Sequence, residues 1–198
     1  MKLIDNVLIA VTKRSFLIWF KDFLEVDAYK KVRINGDKKK EIKFFAPNYL
    51  ANWLVDDFYI KEPETIEWIN SFKTSTEEII FWDIGANIGA HTFFLAQSVG
   101  EQGQVIAFEP TDYAFSKLLK TASLNPELTS RIQAMQYMLV DAEDENSAPP
   151  SLYSSWPLKE EKDLHNLHQG RLMSTTEAKP KTLDSVVSSL KLDRVDYI

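Results

Sequence analysis

Residues 81–92 have the sequence Phe-Trp-Asp-Ile-Gly-Ala-Asn-Ile-Gly-Ala-His-Thr, and the apolar residues Ile79 and Ile80 precede them. An apolar run that leads into an acidic residue, a glycine-rich turn and a second apolar segment is typical of a strand, a tight turn and a helix. That order is the first unit of a doubly wound α/β sheet. The segment therefore predicts a ligand site at the turn between Asp83 and Gly89.

The glycine spacing of this turn differs from that of a dinucleotide site. Gly85 and Gly89 suit backbone angles or close approaches that a Cβ would prevent, and we expect N–H groups of the turn to face a ligand. In the pattern G-x-G-x-x-G the second and third glycines would fall at Asn87 and Ala90, so both are missing. Asp83 would repel a phosphate but suits a cationic group. S-adenosylmethionine (SAM) carries an ammonium and a sulfonium and no phosphate, so the pattern favours SAM over NAD.

A second acidic residue supports a nucleoside site. Residues 104–108 predict a short buried strand, and Glu109 follows it, 20 residues after Gly89. A carboxylate at the end of the strand after the turn can accept hydrogen bonds from both ribose hydroxyls. Because SAM and NAD both contain a ribose, Glu109 does not separate the two cofactors.

Four segments together resemble the FkbM family of class I SAM-dependent methyltransferases: Asp83–Gly89, Glu109-Pro110, Lys61-Glu62-Pro63-Glu64-Thr65 and Thr182-Leu183-Asp184. The resemblance covers roughly Arg33 to Ile198. It implies a Rossmann-like class I methyltransferase sheet, SAM as the cofactor and, most often, O-methylation of a hydroxyl on a sugar, glycolipid or natural product. The acceptor would be a small molecule or a glycan.

The expected cofactor-binding residues are Asp83, Gly85, Ala86, Asn87, Gly89, Glu109 and Asp141. Asp83 would hold the ammonium of SAM directly or through water, the turn would cradle the methionine moiety, and Glu109 would hold the ribose. By the same resemblance Asp141 would meet the adenine, although its acidic neighbours also suit an ordinary loop. No general base is identified.

Two residues near the turn have open alternatives. His91 is either a packing or capping residue of the predicted helix or a general base. Glu62 either favours the N-terminus of a helix that begins at Pro63 or closes over the methionine end of SAM.

Composition excludes several classes of protein. The chain has 198 residues, a formal net charge of −6, no cysteine and three histidines. The acidic balance argues against nucleic-acid binding, and the absence of cysteine excludes disulfides and cysteine metal sites. No metal site is expected, and a cytoplasmic location fits.

The organisation predicts an N-terminal extension over residues 1–75 and a SAM-binding domain over 76–198. Residues 3–24 are rich in large apolar side chains, which predicts helices that pack against the core or against a partner chain in a homo-oligomer. The alternative is a helix that lies on a membrane surface. Residues 30–46 predict a β-hairpin.

Further elements are predicted along the second domain, and its sheet is expected to be incomplete at the C-terminus. The pattern predicts a helix over 63–72, a helix from about 87 to 98, a helix over 112–124, a strand over 132–140, a long insertion over 146–180, a helix over 183–190 and a new strand from Val195. In the family, further strands follow that point. The incomplete sheet leaves an inactive fragment or a partner-binding module as the alternative. The glycine turn leaves an NAD-dependent oxidoreductase as a less favoured one.

Overall fold

The computed structural model describes residues 29–33, 41–47, 49–72, 78–142, 152–153 and 172–198. The apolar segment 3–24, with its alternatives of a core helix or a membrane-surface helix, lies outside the described residues. The elements in chain order are β1 (Tyr29–Arg33), β2 (Glu41–Phe45), α1 (Tyr49–Lys61), α2 (Pro63–Ser71), β3 (Ile80–Ile84), α3 (Ala90–Ser98), β4 (Gln104–Phe108), α4 (Asp112–Leu124), α5 (Pro126–Thr129), β5 (Ile132–Met135), β6 (Tyr137–Leu139), β7 (Leu152–Tyr153), β8 (Leu172–Met173), β9 (Lys179–Lys181) and α6 (Leu183–Leu190).

The central sheet is parallel and has the order β3-β4-β5. Asp83 is paired with Ala107 in β4, and Ala107 is paired with Ala134 in β5. On the other edge of β3, Tyr197 makes a parallel bridge to Phe81. The first strand of this sheet is thus internal, with the second and third strands on one side and the last residues of the chain on the other. This order is Rossmann-like, and it confirms the predicted α/β fold.

Helices cover both faces of β3, which explains its continuous apolar sequence. On one face Phe81 belongs to a core cluster that includes Phe93 of α3. On the other face Trp82 belongs to a second cluster, which includes Val186 of α6. Each of these side chains is nearly inaccessible to solvent, and burying one such side chain contributes roughly 1.5–3 kcal/mol. The C-terminal end of β3 is therefore held firmly from both sides.

The N-terminal elements share the core of the sheet. Phe44 of β2 and Phe58 of α1 are buried in the same cluster as Phe93 and Phe94. The division of the chain into an N-terminal extension and a SAM-binding domain at residue 75 stays a prediction. Elements from both sides of this boundary contribute to one apolar core. Helix α1 was not expected, because its sequence mixes aromatic residues, β-branched residues and two aspartates and gives no clear helical period.

Thr121 of α4 and Asn125, the residue that caps its C-terminus, hold β2, and the antiparallel pairing of β1 with β2 agrees with the predicted hairpin. The Lys43 N–H donates to Asn125 Oδ1 at 2.9 Å, and Asn125 Nδ2 donates back to the Lys43 carbonyl at 3.0 Å. The Phe45 N–H donates to Thr121 Oγ1 at 3.0 Å. These bonds satisfy the outer edge of β2, which would otherwise leave backbone groups unpaired.

Two predicted boundaries were wrong. The helix expected from about residue 87 begins at Ala90, because Asn87 and Gly89 have φ of 52° and 92°, outside the helical region. The strand expected over 132–140 separates at Gln136 into β5 and β6, and β6 pairs with β9 instead of with β4. Among the described residues, no helix is both long and apolar enough to span a bilayer.

Candidate functional site

Asp83 is the second-last residue of β3 and faces the first turn of α3. Thr92 Oγ1 donates to Asp83 Oδ2 at 2.5 Å, and the Thr92 N–H also donates to this carboxylate. Burial raises the pKa of Asp83, against the lowering effect of the Thr92 bonds and of nearby His91. The carboxylate thus lies at the positive end of α3, where a negative charge is favoured.

The two glycines of the turn have different surroundings: Gly85 borders open space, and Gly89 packs against the core. Gly85 has φ of 77°, and among the described residues no atom lies within 4 Å of a Cβ placed there. Gly89 has φ of 92°, and a Cβ there would lie 2.8 Å from the Phe93 ring. Glycine is therefore needed at both positions for its backbone angle, but only Gly85 borders room for a ligand.

The N–H groups of the turn point inward, contrary to the expectation that they face a ligand. Gly85 and Ala86 both donate to the Phe108 carbonyl, at 2.9 and 3.0 Å. The Asn87 N–H donates to Glu109 Oε2 at 2.8 Å, and the Gly89 N–H donates to the Ala86 carbonyl at 2.8 Å. Four donors that a phosphate would need are therefore already used.

Glu109 is buried at the end of β4, next to the turn. Its Oε1 accepts from the Thr111 N–H at 2.8 Å and from Thr111 Oγ1 at 2.5 Å, and its Oε2 accepts from Asn87. Glu109 is only 6% exposed, so these bonds fix the carboxylate. Because two carboxylate oxygens offer about four acceptor sites and three are occupied, one acceptor site remains for a ligand, on Oε2.

Glu62 contacts His91 at the start of α3, and His91 lies close enough to Asp83 to lower the pKa of its carboxyl. His91 Nε2 lies 3.0 Å from Glu62 Oε2, and the Phe58 ring packs edge-on against the imidazole at 4.4 Å between ring centroids. The spacing of these residues in the chain gave no sign of the pair, because 29 positions separate Glu62 from His91. Fold topology brings the α1–α2 junction to the start of α3.

Asp141 follows β6 and is exposed. The neighbouring Val140 N–H donates to the Lys181 carbonyl at 3.0 Å, so this end of β6 is fastened to β9. The hydrogen bonds and ion pairs of the described residues do not join Asp141 to Asp83 or Glu109. Its contact with adenine therefore stays a prediction.

Comparison with known proteins gives related folds and no family. No protein-family model matches the chain, and no curated protein matches it. Several solved structures resemble part of it, and three are described here. They are a candidate rRNA methylase from Clostridium thermocellum (27% identity over 37% of this chain and 40% of that chain, TM-score 0.33), a SAM-dependent methyltransferase from Aquifex aeolicus (17% over 46% and 46%, TM-score 0.34) and a SAM-dependent O-methyltransferase from Thermotoga maritima (18% over 58% and 44%, TM-score 0.34). The chain spans less than half the length of each.

Two threonines complete the site, and sequence reasoning missed them. Thr92 holds Asp83 and Thr111 holds Glu109. A hydroxyl two residues after a strand-end carboxylate is a signal that could have found Thr111, because such residues bond locally. Thr92 offers no such local signal, since its partner lies nine positions away.

Oxygen and nitrogen ligands do not gather into a metal site in the part of the chain that is described. No group of three or more histidine, cysteine, aspartate or glutamate side chains is placed to hold a metal ion among those residues. Glu62 contacts His91, and Asp83 accepts a hydrogen bond from Thr92.

Proposed function

We propose that this chain binds SAM and belongs to a SAM-dependent methyltransferase. One observation carries the proposal: the Asp83 carboxylate occupies the N-terminus of α3, where a dinucleotide site would bind its pyrophosphate. Thr92 holds that carboxylate in place. A ligand at this position has to tolerate or use a negative charge, and the ammonium of SAM does so.

The inward N–H groups of the turn support the same choice. Gly85, Ala86 and Asn87 donate to Phe108 and Glu109, so a phosphate would meet no donors from these residues and would face Asp83. Charge and hydrogen bonding both oppose a pyrophosphate here. This weighs against the NAD-dependent alternative.

Each residue has a separate part in the proposed site. Asp83 holds the ammonium, the open side of Gly85 accepts the methionine moiety, the remaining acceptor site of Glu109 takes a ribose hydroxyl, and Asp141 contacts the adenine. When bound, SAM would supply a methyl group on a positively charged sulfur. The acceptor oxygen would have to give up its proton to a base, and none of the described residues is assigned that role.

The acceptor class and the family belong to the proposal as well. The FkbM-like segments favour O-methylation of a hydroxyl on a sugar, glycolipid or natural product. Glu62, in one of these segments, contacts His91 at the start of α3, and this contact supports the proposal. A cytoplasmic enzyme, with residues 3–24 on a membrane surface or against a second copy, fits this class of acceptor.

Isothermal titration calorimetry with SAM, S-adenosylhomocysteine (SAH) and NAD⁺ tests the proposal on the 198-residue chain. We expect SAM and SAH to bind and NAD⁺ to bind much more weakly. Tighter binding of NAD⁺ would favour an oxidoreductase. Binding of no nucleoside, together with stable assembly with another chain, would favour a partner-binding module.

The variant Asp83→Asn separates binding from folding. Because burial raises the pKa of Asp83, the folded protein holds this proton more tightly than the unfolded chain does. Ionisation of Asp83 therefore opposes folding, and its cost grows as pH rises from the ordinary value of 3.8 through the raised pKa. At neutral pH we expect the unliganded variant to have an unchanged or higher Tm.

The same variant should bind SAH at least tenfold more weakly, because the ammonium loses its counter-charge. Asp193→Asn is the matched control, since Asp193 is exposed in the loop after α6 and the change in charge is the same. A variant at Asp83 with unchanged SAH affinity would contradict the site assignment. A lower Tm would assign Asp83 a structural role instead.

A further inference from the structure

We propose that the outer face of the β1–β2 hairpin, together with the lysines of α4 beside it, is a docking surface for an anionic lipid bilayer. The proposal concerns the surface on which the protein binds, and it does not depend on SAM binding. The observations that carry it are the charge of this face, the environment of its two aromatic rings and the apolar sequence that precedes β1.

The hairpin has one buried side and one side that is exposed or half-buried. Successive side chains of a strand point to opposite faces, and Val32, Ile42 and Phe44 are buried in the apolar core. The other side carries the residues that alternate with these, paired across the two strands as Tyr29 with Phe45, Lys31 with Lys43 and Arg33 with Glu41. These six residues are called the basic face.

The basic face is positively charged in an acidic protein. Its three cations, Lys31, Arg33 and Lys43, stand against one carboxylate. That carboxylate belongs to Glu41, whose oxygens lie 2.9 Å from Lys31 Nζ and 3.3 Å from Arg33 Nε. The elements β1, β2 and α4 together hold six basic and two acidic residues, whereas the whole chain has 23 basic and 29 acidic ones. The positive charge is therefore a local feature of these elements.

Two lysines of α4 extend this charge beyond the hairpin. The Nζ atoms of Lys117 and Lys120 each lie 5.7 Å from the centroid of the Phe45 ring. Lys117 Nζ also lies 4.7 Å from the centroid of the Tyr113 ring. Lys117 is buried and Lys120 is exposed. The Phe45 N–H donates to Thr121 Oγ1, so α4 and its lysines are held at a fixed place beside the basic face.

The two aromatic rings of the basic face favour a bilayer over a single-stranded nucleic acid. Proteins that bind single strands stack bases on open aromatic rings, but the Phe45 ring is half-buried and has two ammonium groups near it. Tyr29 is 51% exposed, and a tyrosine with one apolar and one polar end suits the boundary between membrane and water. Clusters of lysine and arginine next to an apolar segment are typical of proteins that bind anionic lipids.

The sequence before β1 favours the same partner. Residues 3–24 are rich in large apolar side chains, and four residues separate them from Tyr29, where β1 begins. That connection spans at most about 18 Å when it is fully extended. If residues 3–24 lie in the headgroup region, the basic face is therefore within reach of the lipid phosphates. An apolar and an electrostatic signal together are what stable binding to a membrane surface requires.

Vesicle sedimentation with the 198-residue chain tests the surface. We expect much stronger binding to phosphatidylcholine vesicles that contain about 30% phosphatidylglycerol than to vesicles of phosphatidylcholine alone, with a difference that shrinks as salt screens the charges. Lys43→Gln with Lys120→Gln should weaken binding to the anionic vesicles about tenfold or more. Lys179→Gln with Lys191→Gln is the matched control, because both lysines are exposed, lie in β9 and after α6, and remove the same charge.

Glu41→Gln changes the charge in the opposite direction. It removes the one carboxylate of the basic face, so this variant should bind the anionic vesicles several-fold more tightly than the unmodified chain. Glu101→Gln, at an exposed position in the loop after α3, is the control for the change in charge. Tm values for every variant confirm that the protein measured is folded, so that a gain of binding is not the result of unfolding.

The remaining outcomes would overturn the proposal. Equal binding to both kinds of vesicle, or equal affinities of the double variant and its control, would show that the apolar sequence alone carries the association. Binding to neither kind of vesicle would contradict the surface outright. Binding of poly(U) RNA that weakens in the double variant, without binding to anionic vesicles, would assign the basic face to a nucleic acid. SAH affinity should be unchanged in all of these variants, so this proposal and that of the SAM site fail independently.

Discussion

At the scale of single residues, the two turn glycines have the same backbone requirement and different surroundings. Gly85 and Gly89 both have positive φ. A side chain at Gly85 would enter open space, whereas one at Gly89 would meet the Phe93 ring and Leu118 Cγ. Backbone angle and packing can therefore be separated by making the same substitution at both positions.

Gly89→Ala should lower stability more than Gly85→Ala does, and Gly85→Ala should lower SAH affinity. For Gly85→Ala we expect a loss of stability of about 1 kcal/mol, the cost of a left-handed non-glycine residue, and a clear loss of SAH affinity because the methyl group enters the ligand space. For Gly89→Ala we expect about 2–4 kcal/mol, because overpacking against buried Phe93 adds to the strain. Urea unfolding and calorimetry check both. Equal stability losses in the two variants would contradict the packing difference.

At the scale of elements, Asp112 joins α4 to the loop that leads into β9. Its carboxylate accepts from Ser174 Oγ, from Thr176 Oγ1 at 2.9 Å and from Gln136 Nε2 at 2.6 Å. The Asp112 N–H donates to the Ser174 carbonyl at 2.9 Å. Burial acts to raise the pKa of Asp112, but the hydrogen bonds of Ser174 and Thr176 outweigh it and the pKa is lowered.

Asp112→Asn should therefore destabilise the protein in a pH-dependent way. The folded-state pKa lies below the ordinary 3.8, so the stability that the ionised carboxylate contributes is present above that value and is lost as pH falls through the folded-state pKa. We expect a deficit of about 1 kcal/mol at pH 7 that shrinks on acidification. Asp184→Asn, an equal charge change in the first turn of α6, should show a smaller deficit. Thermal unfolding across pH measures both.

At the scale of the whole molecule, the N-terminal hairpin and the sheet are joined through α4 and a common apolar core. Asn125 bridges the two parts, since its side chain bonds to both backbone groups of Lys43 and donates to the Thr121 carbonyl at 2.7 Å. Asn125 is 1% exposed. Its hydrogen bonds therefore hold the hairpin against the C-terminal end of α4, and water does not compete for them.

Asn125→Ala should loosen the hairpin more than the sheet. Removing a buried residue with three hydrogen bonds leaves backbone groups unpaired, at a cost of roughly 2–4 kcal/mol. Hydrogen exchange should speed up at the amides of Lys43 and Phe45 and change little in β4. Ser123→Ala, an exposed position on the same helix, is the control. Uniform acceleration across hairpin and sheet would show that the two unfold as one unit.

The sequence by itself determined the parts of this protein that depend on neighbours along the chain. Strand, turn and helix at Asp83–Gly89 follow from apolar runs and glycine positions, and Glu109 follows from its place after the next strand. The proposed preference for a cation over a phosphate also rests on the sequence, because Asp83 stands where a phosphate would be repelled. These features are local, so they can be predicted from hydrophobic periodicity and from the spacing of residues along the chain.

Only the tertiary structure decided the partners of those residues. Glu62 meets His91 across 29 positions and Asp112 meets Ser174 across 62, and no periodicity encodes such contacts. The inward direction of the turn N–H groups was likewise set by the Phe108 carbonyl of the neighbouring strand. The fold brings the ends of particular strands close to the starts of particular helices. This packing decides which donors and charged groups lie at the site.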